Sequence, residues 1–231
     1  MRTDARRGGA VVLARSHDGE QLEPLAELDK DRFAAESLER PALVRLDDGG
    51  WRLYLSCATP GSKHWWICAL DAPTLERLAD AEPRTVFPGD ERTGVKDPVI
   101  RRRGGAWHAW ICCHPLEPRG EEDRMRTAHA AGADGLDWAW HGTVLEGRAG
   151  TWDARGARVT AVLGDGRMAY DGRATKEENW FEQTGLTENR HEPVADVRYL
   201  EVLPLPGGGH RIYYEARLAD ESHELRTELV A

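Results

Sequence analysis

Pro98-Val-Ile-Arg-Arg-Arg-Gly-Gly-Ala-Trp-His-Ala-Trp-Ile-Cys112 spells out a hairpin. A strand-like run leads into Gly104-Gly105, which supply the positive φ of a tight connection. After the turn, Trp107, Ala109 and Ile111 alternate with His108, Trp110 and Cys112, the period-2 pattern of a strand in a packed sheet. The same phrase recurs at Pro41-Ala-Leu-Val-Arg-Leu-Asp-Asp-Gly-Gly-Trp-Arg-Leu-Tyr-Leu-Ser56, at Val159-Thr-Ala-Val-Leu-Gly-Asp-Gly-Arg-Met-Ala-Tyr-Asp171 and at Tyr199-Leu-Glu-Val-Leu-Pro-Leu-Pro-Gly-Gly-Gly-His-Arg-Ile-Tyr-Tyr-Glu215. Copies spaced by roughly 40 to 60 residues match propeller blades rather than the coils of a short solenoid.

Working outward, further strand-like runs fill the intervals, among them Lys63-His-Trp-Trp-Ile-Cys-Ala-Leu70 and Met125-Arg-Thr-Ala-His-Ala-Ala131. The turn at Asp134-Gly135 has a counterpart near the start of the chain, Asp18-Gly19. Both read as the third-to-fourth-strand turn of a four-stranded blade. Helix is confined to two short candidates, Pro73 to Leu78 and Ala174 to Phe181. A β-sandwich also produces many short strands with turn signals, but it does not call for a repeated hairpin. The expected fold is therefore all-β, a β-propeller forming one domain over 1–231. A partial blade covers 8–28, and blades follow over 39–90, 95–146, 151–190 and 196–231.

A net charge of −9 with no basic stripe argues against a dedicated nucleic-acid binder. No apolar run reaches membrane-spanning length, and the first twenty residues lack a signal-peptide core. Cys57, Cys68, Cys112 and Cys113 show no metal-ligand spacing, and neighbours such as Cys112 and Cys113 are poor disulfide partners. Reduced core thiols in a cytoplasmic protein are expected. His64, His108, His114, His129 and His141 are scattered over different strands and read as ordinary strand or turn residues, so no metal site is assigned. An axial Ca²⁺ or Na⁺ stays open as an alternative. Most of the nine tryptophans read as packing wedges. Trp152 and Trp180, in irregular segments, are the candidates for an aromatic platform under a sugar ring.

The residues entering each hairpin carry the chemistry, because propeller ligand sites form where the innermost strands begin. They are Glu36-Ser-Leu-Glu-Arg-Pro41, Val95-Lys-Asp-Pro98, Thr151-Trp-Asp-Ala-Arg-Gly-Ala-Arg158 and Asp196-Val-Arg-Tyr199. Each holds both an acid and a base, and in two of them a proline follows and fixes the local φ. A ring of carboxylates interleaved with Arg and Lys suits glycosidic cleavage, in which two carboxyl groups flank the bond. It suits sugar binding without chemistry equally well. Alternatively, the charges pair with one another and merely pin adjacent blades.

At Glu39-Arg40-Pro41, Lys96-Asp97-Pro98 and Trp152-Asp153-Ala-Arg155, together with the Asp-Gly turns, the chain resembles the five-bladed β-propeller glycoside hydrolases. These are the arabinanase/xylosidase group (family 43) and the invertase/levanase group (family 32). The resemblance runs from about residue 8 to the end. It implies three acidic residues: a base or nucleophile on the first blade, an Asp that positions substrate and tunes pKa, and a Glu as general acid. Asp97 matches the second role, and Glu39 stands first for the third, ahead of Glu215 and Glu178. Asp153 is a stand-in base, with Arg40, Lys96, Trp152, Arg158 and Arg198 as substrate-binding residues. Five blades of four strands need more chain than 231 residues in these families. The expectation is four full blades and the outer half of a first one, as in an N-terminally truncated member. The carbohydrate ligand is cleaved in one reading; in the alternative it is bound without cleavage.

Overall fold

The computed structural model describes residues 8–231. Among them are seventeen strands and three short 3-10 helices, Lys30–Phe33, Glu76–Asp80 and Glu177–Trp180. The last two helices fall within or next to the helical candidates of the sequence. No helix among the described residues is long and apolar enough to cross a membrane.

The strands form a two-stranded ribbon and four blade sheets, each following chain order. The ribbon joins β1 (Ala10–Arg15) to β2 (Glu23–Asp29). The first blade is β3 (Leu38–Arg45), β4 (Trp51–Ala58), β5 (Trp65–Ala72) and β6 (Arg84–Phe87); the second is β7 (Thr93–Arg103), β8 (Ala106–Pro115), β9 (Arg126–Gly132) and β10 (Ala139–Leu145). The third is β11 (Gly156–Val162), β12 (Met168–Arg173), β13 (Gln183–Leu186) and β14 (Asn189–Val194), and the fourth is β15 (Val197–Pro204), β16 (His210–Arg217) and β17 (His223–Val230). Four blades and a ribbon over the expected partial blade agree with the expectation of four blades and part of another, except that the last blade has three strands rather than four.

The chain divides into two compact units, where the sequence was read as one domain. One unit holds the chain through Glu122 together with Ala128–Gly142; the other holds Asp123–Thr127 and Thr143–Ala231. In the first unit strand periodicity explains the packing. Leu53, Leu55 and Cys57 of β4, with Cys68 and Leu70 of β5, face Val11, Leu13, Leu28 and Phe33 from the ribbon side. The alternate residues Tyr54, Ile67 and Ala69 point the other way, into a cluster with Val95, Ile100, Trp107, Ala109 and Ile111 of the second blade. All four cysteines are buried and none forms a disulfide.

The two Asp-Gly turns are built alike. Asp18 Oδ1 accepts from the Glu20 and Gln21 amides, as Asp134 Oδ1 does from those of Leu136 and Asp137. Each carboxylate replaces a missing backbone partner, which is the role of Asp in an Asx-turn.

One irregularity recurs in the first strand of every blade. Its register shifts between Glu39 and Ala42, between Lys96 and Val99, between Val159 and Ala161, and between Arg198 and Glu201. Three of these bulges place a non-glycine residue in the left-handed region: Arg40 (φ 41°), Asp97 (φ 52°) and Tyr199 (φ 57°). Pro41 and Pro98 fit this geometry, since a residue with no N–H is tolerated in a sheet at a bulge. Bulges re-aim side chains, and here they do so at the charged openings picked out in the sequence.

Candidate functional site

In the first unit the openings of β3 and β7 meet. The Lys96 ammonium lies 3.2 Å from Glu39 Oε2 and 3.9 Å from Asp97 Oδ2. The ammonium also lies over the Trp65 ring, 4.7 Å from its centroid. Sharing one cation, the two carboxylate oxygens stand no farther apart than about 7 Å. The side chains of Glu39 and Lys96 keep 21% and 16% of their exposure, whereas that of Asp97 is at 0%. The Asp97 amide, displaced by the bulge, donates to Ser56 Oγ at 2.8 Å. Arg40, at the matching bulge, is half-buried.

His114 closes this region from β8. Its Nε2 faces the Lys63 carbonyl at 2.9 Å, so that nitrogen carries the proton. Its buried Nδ1 makes no hydrogen bond. Burial lowers its pKa and the Lys96 ammonium adds to the effect, outweighing the Lys63 carbonyl, so the ring is neutral at pH 7. Position 94 must be glycine here, because a Cβ there would lie 2.5 Å from the His114 ring.

The openings of the second unit are built differently. Arg158 reaches Asp171 Oδ2 at 3.2 Å and Glu182 Oε1 at 3.0 Å. Arg173 reaches the same Glu182 oxygen at 3.0 Å, and Arg198 lies 3.6 Å from its other oxygen. Arg198 also binds Glu215 Oε2 through Nη2 at 2.8 Å and Nε at 2.9 Å. Asp171 accepts further bonds from Thr184 Oγ1 and the Tyr199 amide, each at 2.8 Å. Arg158, Arg173 and Arg198 are 2%, 2% and 4% exposed. A buried charge persists only when paired and hydrogen-bonded, and these are. The network ties the third blade to the fourth, and in it Arg158 and Arg198, the substrate-binding candidates of the sequence, have internal partners.

Asp153 and Trp152 lie together, also in the second unit and away from that network. Asp153 is fully buried. It accepts from Tyr170 Oη at 2.9 Å, from Arg190 Nη2 at 2.5 Å, from Arg148 Nε at 3.2 Å and from Thr151 Oγ1. Burial pushes its pKa up, but these donors outweigh burial and hold it at about 2. A carboxylate so engaged is a poor base. Tyr170 and Asp171 are consecutive on β12 and so face opposite sides of the blade, which keeps Asp153 apart from the Arg158 network. Trp152 stacks on Tyr170 with centroids 5.2 Å apart and donates through Nε1 to the Arg190 carbonyl at 2.7 Å. A Cβ on Gly172 or Gly185 would come within 2.7 Å of its indole, so the ring is seated as a wedge. Trp180 is the one of the two candidate platforms that stays open, at 40% exposure, with the Arg198 guanidinium 5.4 Å from its ring.

Sequence reasoning assigned no role to Ser56, Trp65, His114, Asp171, Arg173 or Glu182. Ser56 and Asp171 do end two of the quoted hairpins, facing Glu39 and Arg158 of the charged openings, and that register was the available signal. The scattered histidines also gain a partner arrangement. His108 Nδ1 lies 3.0 Å from His129 Nε2, and the His129 and His141 rings stand 5.1 Å apart. No group of three or more His, Cys, Asp or Glu is placed to hold a metal ion among the described residues.

No protein-family model and no curated protein sequence matches this chain. Solved structures do. A thermostable family-43 glycoside hydrolase aligns with a TM-score of 0.65 at 11% identity, over 90% of this chain and 77% of its own. A β-1,2-mannobiose phosphorylase from Listeria innocua gives 0.62 at 16% identity, over 93% and 64%. An α-L-arabinofuranosidase from Lactobacillus brevis gives 0.56 at 19% identity, over 83% and 67%. The fold is accordingly a β-propeller, of the kind found in these carbohydrate-active proteins.

Proposed function

We propose that this chain is a carbohydrate-active propeller that cleaves a glycosidic bond at the Glu39–Lys96–Asp97 opening. The observation that carries this reading is the pair of carboxylates sharing one ammonium on two bulged first strands, with Glu39 and Lys96 partly open to solvent. The fold neighbours include an α-L-arabinofuranosidase and a family-43 hydrolase, which supports a furanoside or pyranoside as substrate. Glu39, the more exposed carboxyl, is the candidate proton donor to the leaving oxygen. With Asp153 engaged elsewhere, the second carboxylate of the pair is Asp97 itself. It is fixed by its backbone and faces the positive charge that develops on the sugar as the bond breaks. Lys96 holds the two acids in register, and Arg40 flanks them as a hydroxyl ligand.

Initial rates on a panel of 4-nitrophenyl furanosides and pyranosides test the reading. Asp97→Ala should lower kcat/KM by about 100-fold or more. Turnover equal to that of the unaltered protein would remove Asp97 from the chemistry and the reading with it.

A further inference from the structure

Each bulge creates the same local problem. The extra residue loses its place in the ladder, and a buried amide without a partner costs about as much as a lost hydrogen bond. Two bulges solve it in the same way, with a side-chain oxygen from the preceding blade: Asp97 N donates to Ser56 Oγ at 2.8 Å and Tyr199 N to Asp171 Oδ2 at 2.8 Å. Beside the bulge of β11 the Val159 amide, still paired with Tyr170, donates likewise to Thr127 Oγ1 at 3.0 Å. The repetition shows that the Ser56 bond belongs to the design of the blades.

Two of these acceptors occupy equivalent places. Ser56 faces Glu39 across β3 and β4, and Asp171 faces Arg158 across β11 and β12. In the second unit that place holds a carboxylate, which neutralises Arg158 and helps to close the network. In the first unit it holds a neutral hydroxyl at 0% exposure. Ser56 thus stands between the two carboxylates of the opening, opposite one in the ladder and bonded to the backbone of the other. It holds Asp97 at φ 52° without adding a third negative charge.

We propose that Ser56 is the positioning residue of this site: its Oγ fixes the Asp97 bulge and so aims the Asp97 carboxylate, without itself bringing a further charge between the two acids. The proposal rests on the function argued above. Without the hydroxyl the bulge relaxes, and a misplacement of about 1 Å at a reacting group costs about 100-fold in rate.

The test compares Ser56→Ala, Ser56→Thr and Thr127→Ala. Thr127→Ala removes the similar bond beside the bulge of β11, outside the site, and controls for fold stability. Ser56→Ala should lower kcat by about 10- to 100-fold with little change in KM, and Ser56→Thr should restore most of it. Thr127→Ala should melt a few degrees lower at unchanged kcat. The Asp97 carboxyl titration, followed by carbon NMR and assigned with Asp97→Asn, should move in Ser56→Ala and return in Ser56→Thr. A wild-type kcat in Ser56→Ala beside an inactive Asp97→Ala would overturn the positioning role and leave the site standing. Wild-type rates in both would overturn the site as well. An Asp97 titration unmoved by Ser56→Ala overturns the positioning role whether or not turnover is found.

Discussion

The openings of the first unit and those of the second start from the same local design and end in opposite states. Both have a bulged first strand, a charged residue ahead of the bulge and a side chain from the preceding blade on the bulge amide. In the first unit Lys96 bridges Glu39 and the buried Asp97, and the side chains of Glu39 and Lys96 keep part of their exposure. In the second, three buried guanidiniums, those of Arg158, Arg173 and Arg198, meet the buried Asp171 and Glu182 and the part-exposed Glu215. Charge at a blade opening is therefore not a mark of function by itself.

The sharpest way to break this contrast is Glu182→Gln. It leaves three buried guanidiniums short of a carboxylate, and removing one partner of a buried ion pair costs about 3–5 kcal/mol. At this chain length that lowers the melting temperature by roughly 10 °C. A drop below about 2 °C would show that the network does not pin the blades.

Next in size is the acid limb set by Asp153. Its pKa is held at about 2 against an ordinary 3.8, so the folded state favours the ionised form. That contribution, on the order of 2 kcal/mol, is complete above about pH 4 and fades as pH falls from 4 towards 2. Asp153→Asn should lower stability at pH 7 and flatten the stability–pH curve between pH 4 and 2. Denaturant melts that stay parallel to the unaltered protein over that interval would contradict the assignment.

The smallest effect on stability is expected at the working opening. Glu39→Gln breaks a partly exposed pair worth about 0–1 kcal/mol, so its melting curve should nearly overlie that of the unaltered protein. A shift comparable to that of Glu182→Gln would mean that Glu39 is a pin too.

Much of the propeller could be read in the residues. Gly104-Gly105 and its counterparts marked the hairpins, Asp134-Gly135 marked an outer turn, and Pro41 and Pro98 marked the openings before any coordinates. The bulges could not be read, because a one-residue slip depends on the pairing between strands rather than on either strand alone. Glu182 was equally hidden. It lies 24 residues from Arg158 in the chain, outside any repeated phrase, and only the packing of β12 against β13 brings it in. Trp152 was read as a sugar platform from its irregular segment; Gly172 and Gly185, two unremarked glycines, make room for it as a wedge. The setting of Asp153 was hidden for a related reason, since its four donors come from residues scattered between 148 and 190.

The central claim is that the first unit's opening acts on the ligand while the second's holds the fold. Paired assays of Glu39→Gln and Glu182→Gln on the nitrophenyl panel, at a temperature well below both melting points, address it most directly. The account predicts that Glu39→Gln loses about 100-fold or more in kcat while Glu182→Gln keeps the wild-type value. A wild-type kcat in Glu39→Gln, or a loss of the same size in Glu182→Gln, would contradict it.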